Sequence, residues 1–395
     1  MRLPMILNNS KMPYPSLTRL FLSFLRLGLT AFGGPAMIVY IKELAVKKNK
    51  WLNEERFKDG VVLCQSIPGA TAIQMAAYVG LKTKGLRGAL ASYIGFGLPA
   101  FAFILLFSIL YNGYHNLSFV QSLFAGLQVI VVAIIAQATY SFGKNIANSY
   151  SSIIIAVLSA AYLGIGVSPF LVIPGTGLAS ILLFRNIKSP PPAADRKVEL
   201  WKIKPIIALL LILLTGLAAL YFINFDSFIL SVLMMKIDLF AFGGGYTSLP
   251  LMLHEIVGVR GWMDIKTFMD GIALGQVTPG PIVITAAFVG YLLQGFGGSL
   301  VATISIFTPS FLILTITTPF FDRLKSSPLF LKATQGILAS FVGLLFFVSV
   351  KFGLAVPWDV LRVLLGVVVL IALIKKIDLL YIVILGGIIS IWLFS

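Results

Sequence analysis

Four clusters of glycine and proline interrupt apolar stretches of this chain, and their residue types could bind an anion. Glycine costs about 1 kcal/mol and proline about 3 kcal/mol inside a helix, so each cluster should end one helix and start another. A helix that starts inside a bilayer presents free N–H groups and partial positive charge. The alternative is that the clusters only allow kinks or close packing. The clusters are Gly33-Gly34-Pro35, Pro68-Gly69, Gly243-Gly244-Gly245 and Pro279-Gly280-Pro281.

Two basic residues precede two of these clusters at the same distance. Arg26 stands six residues before Phe32, and Lys236 stands six residues before Phe242. A cation inside a bilayer costs several kcal/mol unless it is paired, and it usually marks an ion pathway. Two such cations near four helix starts suit a compact dianion. Alternatively, Arg26 reaches the membrane surface with its long side chain and Lys236 pairs with Asp238.

Polar side chains also stand beside the two Pro-Gly clusters. Gln65 and Gln276 each precede a cluster by three residues, and Thr278 adjoins the second one. Amide and hydroxyl groups can donate hydrogen bonds to an oxyanion, although they can equally join neighbouring helices. Asp59 and Asp270, each followed by glycine, are predicted to cap the N-termini of the helices that follow.

Two matched carboxylates are candidates for proton coupling. Glu43 and Glu255 each lie near the end of the apolar segment that follows a glycine cluster. A carboxylate buried at that depth can carry a coupling proton. The alternative is an interfacial role, in which each glutamate balances a neighbouring cation such as Lys42 or Arg260.

The remaining reactive residues give little support for enzymatic chemistry. The two histidines, His115 and His254, have no metal-ligand spacing, and Cys64 is the only cysteine. No Ser-His-Asp set or phosphate-binding P-loop is evident in the sequence. We therefore expect no catalytic residues, no metal, no cofactor and no ATP hydrolysis.

An internal repeat places these residues in two copies. Residues 31–101 and 241–311 align with two small gaps, and about twenty of roughly eighty positions are identical. Ala31-Phe32-Gly33-Gly34 returns as Ala241-Phe242-Gly243-Gly244, and Pro99 returns as Pro309. Duplicated membrane halves are typical of transporters, in which the substrate site lies where the halves meet.

Composition identifies an all-α polytopic membrane protein. Hydrophobic residues make up 58% of 395 and charged residues 11%, whereas a soluble domain carries about 25% charge. The net charge of +16 lies mostly in short loops, so we expect no nucleic-acid partner. About thirteen apolar segments are long enough to enter a bilayer. They are 19–42, 61–81, 86–111, 117–142, 151–165, 168–185, 205–223, 227–253, 271–293, 296–320, 328–350, 357–374 and 377–394.

Loop charges predict that the second half is inverted. Loop 82–87 is basic and its counterpart 293–297 is uncharged, whereas 112–118 lacks Lys and Arg and its counterpart 323–332 is basic. Basic loops mark the cytoplasmic side, so an inverted-topology repeat with broken or re-entrant helices follows. The predicted order is a first repeat at 17–185, a cytoplasmic linker at 186–204, a linking transmembrane helix at 205–223 and a second repeat at 224–395.

The residues of both halves resemble the chromate ion transporter family, in its long form with two fused homologous halves. The resemblance spans both halves and is most specific from Gly271 to Gly290. One departure is Pro68-Gly69-Ala70, where the family has Pro-Gly-Pro. The resembling runs are Phe24 to Gly28, Phe32 to Pro35, Gln65 to Gly69, Phe240 to Tyr246, Gly261-Trp262, Asp270 to Gln276 and Thr278 to Pro281.

The resemblance implies a secondary transporter of an oxyanion such as chromate, in many members outward, which gives resistance. Chromate and sulfate are both tetrahedral dianions, so N–H donors and two cations would hold either. The expectation is a multi-pass antiporter of the plasma membrane that works by alternating access, and a homodimer is a possible assembly. The alternatives are a sulfate permease, an anion channel, or a membrane scaffold or lipid-handling protein.

Overall fold

The structure is a computed structural model that describes residues 15–32, 36–146, 149–184 and 204–394. Within these ranges the chain forms sixteen α-helices and no strand longer than a single bridge. The helices are α1 Leu17–Thr30, α2 Ala36–Lys42, α3 Glu54–Ser66, α4 Thr71–Tyr114, α5 Ser118–Ile146, α6 Tyr150–Gly164, α7 Pro169–Leu183, α8 Lys204–Ile223, α9 Phe225–Phe240, α10 Ser248–Met252, α11 Ile265–Val277, α12 Thr285–Thr317, α13 Phe321–Ser326, α14 Pro328–Ala355, α15 Val360–Ile374 and α16 Leu379–Phe394. Short π-helical segments, Glu43–Lys48 and Leu253–Val259, continue α2 and α10.

Several helices are suited to a bilayer by length and composition. Among the described residues, five candidate spans are Thr71–Tyr114, Ser118–Ile146, Ile206–Ile223, Ile282–Phe320 and Pro328–Ala355. Four shorter apolar helices, α6, α7, α15 and α16, have 15 or 16 residues each. The protein is therefore a helical multi-pass membrane protein. The thirteen predicted segments do not map one to one onto helices, because several of them run across a break.

Each half begins with two helical segments that lie side by side. In the first half, the Arg19 Nη2 atom donates to Asn49 Oδ1 at 3.0 Å, so the end of the segment that follows α2 returns to the start of α1. In the second half, Lys236 of α9 reaches Glu255, beyond α10, at 2.7 Å. Contacts between residues this far apart in sequence require the chain to turn back at the glycine break. In the second half, the glycine break at 243–245 therefore lies at the tip of a hairpin.

A second such pair follows in each half. The Tyr78 hydroxyl, on the first leg of α4, donates to the Arg56 carbonyl of α3 at 3.1 Å. At the equivalent place, a Cβ built on Gly271 of α11 would lie 2.3 Å from the Phe288 ring of α12. Both contacts bring antiparallel helices together across a Pro-Gly break. The two Pro-Gly breaks are thus hairpin tips as well.

The long helices α4 and α12 are each bent back on themselves. Helical geometry stops at Lys84-Gly85 in α4 and at Gln294-Gly295 in α12. Across the turn in α4, the Ser92 hydroxyl donates to the Ala76 carbonyl at 2.7 Å. A straight helix would separate these two residues by about 24 Å. The second leg of each helix is then free to cross the bilayer.

The two halves are intertwined by a symmetric exchange of helices. α7 of the first half packs against α14 of the second, and α16 of the second half packs against α5 of the first. The Ser180 hydroxyl of α7 donates to the Lys332 carbonyl at 2.8 Å. The Ser390 hydroxyl of α16 donates to the Ser122 carbonyl, which is the equivalent contact. Matched contacts in both directions are the mark of a pseudo-twofold axis.

The packing of α5 against α14 shows the direction of that axis. A Cβ built on Gly143 of α5 would lie 3.5 Å from Cγ1 of Val342 in α14. Val342 is the repeat counterpart of Val132, which lies three helical turns before Gly143. If α5 and α14 were parallel and related by a twofold axis, each residue would face its own counterpart. Gly143 instead faces the counterpart of a residue three turns away, so α5 and α14 run in opposite directions. The axis therefore lies across these helices, which is the arrangement of an inverted repeat.

The connection between the halves agrees with this inversion. Whether the broken segments span or turn back, they add an even number of crossings, and α4, α5, α6 and α7 of the first half can cross in pairs. The single helix α8 then carries the chain to the opposite face, and none of its window Ile206–Ile223 is buried against the rest of the chain. The predicted linker 186–204 lies outside the described residues except for Lys204, which begins α8. The predicted division into repeat, linker, linking helix and repeat stays a prediction.

Candidate functional site

The helix breaks of the two halves meet in pairs. The backbone N–H of Gly69 donates to the Ala241 carbonyl at 2.7 Å. The N–H of Gly280 donates to the Ala31 carbonyl at 3.1 Å. Gly69 is the counterpart of Gly280, and Ala31 is the counterpart of Ala241, so these are the same contact formed twice. Each Pro-Gly tip of one half is therefore joined to the glycine tip of the other half at the pseudo-twofold axis.

The two Pro-Gly tips share a backbone conformation that excludes other residues. Gly69 and Gly280 both have a φ of +115°. A Cβ on Gly69 would lie 1.9 Å from the Ser310 hydroxyl oxygen, and one on Gly280 would lie 2.8 Å from the Ala100 Cβ. Pro68 and Pro279 are buried beside them. The tips are consequently close-packed against α12 and α4.

The helices that start at the breaks lack side-chain caps. The N-cap residues Ala70, Gly244 and Pro281 make no side-chain hydrogen bond to the first turn of α4 or of the 3₁₀ turns Gly245–Thr247 and Ile282–Ile284. Most helices that start at the periphery are capped. Their caps are Ser16, Asn53, Ser149, Asn224, Asp264, Ser327 and Asp359. The first turns that start at these breaks therefore have no side-chain acceptor from their N-cap residues.

The predicted site residues that the structure describes lie in different environments. Gln276 is 7% exposed, and its side chain faces the Tyr246 hydroxyl without a hydrogen bond of standard geometry from Nε2. Gln65, its counterpart, is exposed. Thr278 is buried and donates its hydroxyl to the Gly275 carbonyl at 2.8 Å. Gly243 and Gly245 are half-buried at the second glycine tip, and Gly244 between them is buried. Gly33, Gly34 and Pro35 lie outside the described residues.

A buried carboxylate at the crossing was missed as a site residue by sequence reasoning. Asp238 is fully buried and accepts the backbone N–H of Ser310 at 2.7 Å and its hydroxyl at 2.7 Å. It does not pair with Lys236, the alternative considered from the sequence. The equivalent first-half residues are Gly28 and Ala100. The sequence signal that could have identified this site residue is the replacement of Gly28 in the first copy by Asp238 in the second.

Gln74 is the second polar residue that the sequence analysis missed. Its side chain is fully buried, and Nε2 donates to the Pro68 carbonyl at 2.6 Å. Its Oε1 atom has no partner among the described residues. A single amide inside the apolar first leg of α4 was the signal that could have identified it.

The two matched cations are in unequal surroundings. Arg26 is exposed on α1 and lines a cavity of about 840 Å³ together with Arg19, Ser23 and Thr30. Lys236 instead contacts Glu255 at 2.7 Å and lies 3.8 Å from the centre of the Phe170 ring. The first-half cation therefore borders an open cavity, whereas the second-half cation, whose side chain is 42% exposed, is ion-paired.

The two matched glutamates differ in the same way. Glu43 has a side chain 57% exposed and pairs with Lys47 at 2.9 Å, and this hydrogen bond raises the pKa of Lys47. Glu255 has a side chain 8% exposed and lies between Lys236 and Arg260, with the latter at 3.9 Å. Glu255 is thus held between two cations.

The predicted N-caps Asp59 and Asp270 were wrong. Asn53 and Asp264 cap α3 and α11, and the two aspartates lie inside those helices. A polar residue followed by glycine resembles a helix start, but here the glycine lets the broken helices pack closely. Asp270 is 6% exposed.

Comparison with known proteins gives consistent matches over both halves. A family model described as chromate transporter matches residues 18–181 and 228–391. An uncharacterized transporter of Methanocaldococcus jannaschii is 44% identical over 94% of this chain and 93% of its own length. Chromate transport proteins of Pseudomonas aeruginosa and Cupriavidus metallidurans are 32% and 30% identical, over 80% and 84% of this chain and 74% and 81% of their own lengths. No solved structure matches.

Proposed function

Because this chain belongs to the chromate transporter family, we propose that it is a secondary transporter of a tetrahedral oxyanion, with chromate as its substrate. Relatives about 30% identical over most of the chain are named chromate transport proteins. Chromate carries two negative charges and four oxygen acceptors, so its recognition needs several donors converging on one small volume.

The observation that carries the proposal is the convergence of uncapped helix starts at the crossed tips. The described starts at Ala70, Gly244 and Pro281 have no side-chain acceptor on their first turn. Free N–H groups in a non-aqueous interior require a partner, and an oxyanion supplies it. Gln276, whose buried amide faces the Tyr246 hydroxyl, is a further donor. The proposed site comprises Gly33, Gly34, Pro68, Gly69, Gly243, Gly244, Gly245, Gln65, Gln276, Thr278, Pro279 and Gly280, with Arg26 and Lys236 supplying charge.

Alternating access is the mechanism that suits the unequal halves. Arg26 borders an open cavity on the side of the basic loop 82–87, the expected cytoplasmic face. Lys236, at the equivalent place in the inverted half, is instead ion-paired with Glu255 and lies against the Phe170 ring. In an inverted-repeat carrier the two halves exchange conformations as the site turns to the other side. We assign the protein to the plasma membrane and expect chromate to leave the cell.

The test is ligand binding by the purified full chain followed by transport in proteoliposomes. Chromate should raise the apparent Tm, because a ligand that binds only the native state stabilises it, by about 2.7 kcal/mol at a hundred times Kd. Flux should saturate with chromate concentration. Linear flux that follows voltage would indicate a channel, and the absence of stabilisation by chromate, sulfate and molybdate would favour a scaffold. Stabilisation by sulfate with no competition from chromate would identify a sulfate permease.

Arg26 is expected to contribute more to transport than Lys236. Replacing Arg26 by alanine removes a cation that no described carboxylate neutralises, and we expect KM for chromate to rise about tenfold. Lys236→Ala should change KM less, because Glu255 already neutralises much of that charge. The measurement is initial uptake of labelled chromate at several concentrations.

Arg26→Lys is the matched control for this prediction, since it keeps the charge and should restore most of the affinity. If Arg26→Ala and Lys236→Ala both transport with wild-type KM and kcat, neither cation belongs to the anion site.

A further inference from the structure

Asp270 lies at the inner end of a cavity of about 480 Å³ that is distinct from the crossed tips. The Tyr111 hydroxyl donates to its Oδ2 atom at 2.9 Å, and the Gln128 Nε2 atom donates to Oδ1 at 2.8 Å. Asp270 belongs to α11, the helix that leads to the tip at Gly280, whereas its two partners belong to α4 and α5 of the other half. The carboxylate therefore joins this helix to two long helices.

The other charged and titratable groups around Asp270 are arranged towards the mouth of this cavity. His115 stacks on Tyr111 with ring centres 5.3 Å apart. Asp264 and Lys266 line the cavity from the start of α11, and Arg362 lines it from α15. None of these makes a hydrogen bond or ion pair with Asp270 among the described residues. A path wide enough for water therefore leads to a carboxylate that is not neutralised by a direct cation contact.

The repeat provides an internal comparison. Asp59, the counterpart of Asp270, has a side chain 43% exposed and lies 3.6 Å from Lys325 Nζ. Lys325 stands where the second site has His115. Phe321 and Leu338 stand where the second site has Tyr111 and Gln128, so Asp59 has no equivalent neutral donors. One aspartate of the pair is ion-paired at an exposed surface, and the other is buried in a neutral hydrogen-bonded setting.

The position of the cavity also fits a proton entering from outside. Tyr111 and His115 lie at the far end of the second leg of α4 from the basic turn 82–87. That leg is long enough to cross the bilayer, since a helix of about 29 residues spans about 43 Å. The basic turn marks the cytoplasmic face, so the cavity opens on the opposite face.

We propose that Asp270 is the proton-binding residue that couples anion transport to the proton gradient, an inference that depends on the proposed transport function. Hydronium in the cavity gives its proton to Oδ2, and the new O–H bond leaves one water molecule behind. The protonated oxygen becomes a donor, so the Tyr111 hydroxyl must rotate and accept from it. The hydrogen bonds that join α11 to α4 and α5 then lose their charge assistance, and this weaker link allows the Gly280 tip to shift. Proton uptake outside thereby favours the conformational change that exports the anion.

The test is proton movement coupled to chromate in proteoliposomes. Vesicles loaded with chromate and an internal pH dye are diluted into chromate-free medium, with the membrane potential held at zero. The wild type should acidify internally as chromate leaves. In Asp270→Asn this proton influx should fall at least about tenfold, because the asparagine amide does not bind a proton in this pH range. Chromate–chromate exchange should continue, because Asp270 does not contact the crossed tips. Asp59→Asn is the matched control and should couple normally.

Two further variants keep the inference testable if Asp270→Asn folds poorly. Gln128→Leu and Tyr111→Phe introduce the residues of the first half while retaining the carboxylate. Each removes a donor to the ionised form, so the midpoint of the pH dependence of net transport should rise by about one unit. Unchanged midpoints in both variants, or wild-type proton influx in Asp270→Asn, would overturn the assignment. Failure of the wild type to bind or exchange chromate would instead contradict the proposed function.

Discussion

Gly69→Ala is expected to abolish transport. The φ of +115° is strained for any residue with a side chain, at a cost of about 1–3 kcal/mol. The added Cβ would lie 1.9 Å from the Ser310 hydroxyl oxygen, and overpacking adds about 1–3 kcal/mol. The tip must therefore move, which breaks the contact between the Gly69 N–H and the Ala241 carbonyl. We expect transport to fall at least about a hundredfold, the equivalent of roughly 3 kcal/mol.

Gly280→Ala should have a similar effect, because Gly280 has the same φ and its Cβ would lie 2.8 Å from the Ala100 Cβ.

The control for both variants is Gly295→Ala, where φ is +60° but no atom lies within 4 Å of the new Cβ. It isolates backbone strain from crowding and should retain transport. A second control, Gly297→Ala, has neither feature. The measurements are chromate uptake and the Tm of each purified variant. Wild-type uptake by Gly69→Ala would show that the tip geometry is not needed.

These glycines mark what the sequence could predict. Both Pro-Gly tips and the two glycine tips are visible in the repeat alignment alone, since helix-breaking residues recur only where the backbone needs them. The inversion is predictable as well, because Lys and Arg positions in short loops record sidedness. Which tips touch could not be predicted. The contact of Gly69 with Ala241 joins residues far apart in the chain, and hydropathy contains no information on such pairs.

The paired charges show a second limit of the sequence. Symmetry suggested that Arg26 and Lys236 are equivalent, and that Asp59 and Asp270 are both helix caps. The structure gives the members of each pair different partners, because the side chains around them differ between the halves. Phe321 and Leu338, the counterparts of Tyr111 and Gln128, lie beyond the aligned stretches 31–101 and 241–311. Their significance required the fold, which brings Tyr111 and Gln128 to Asp270.

Asp238→Ala is expected to give the second large effect, on stability. Removing the carboxylate leaves the Ser310 N–H and hydroxyl without their acceptor in a fully buried setting. Unsatisfied buried donors cost about 1–3 kcal/mol each, so a loss of about 3 kcal/mol in unfolding free energy follows. Transport should fall at least about tenfold. Asp238 lies one turn before Ala241, and its displacement moves the carbonyl that holds the Gly69 tip.

A double-mutant cycle with Ser310→Ala separates this interaction from general damage to the core. The two changes act on one contact, so the double variant should be less destabilised than the sum of the singles by about 2 kcal/mol. The double variant also makes this contact resemble the equivalent contact of the first half, where Gly28 and Ala100 pack without any polar group. The matched control is Ser231→Ala, because Ser231 and Ser305 form a neutral 2.7 Å hydrogen bond between the same two helices. That loss should cost only about 1 kcal/mol. The prediction fails if Asp238→Ala and Ser231→Ala lower the unfolding free energy equally and if the effects of Asp238→Ala and Ser310→Ala are additive. The buried carboxylate would then not hold the second half at its break.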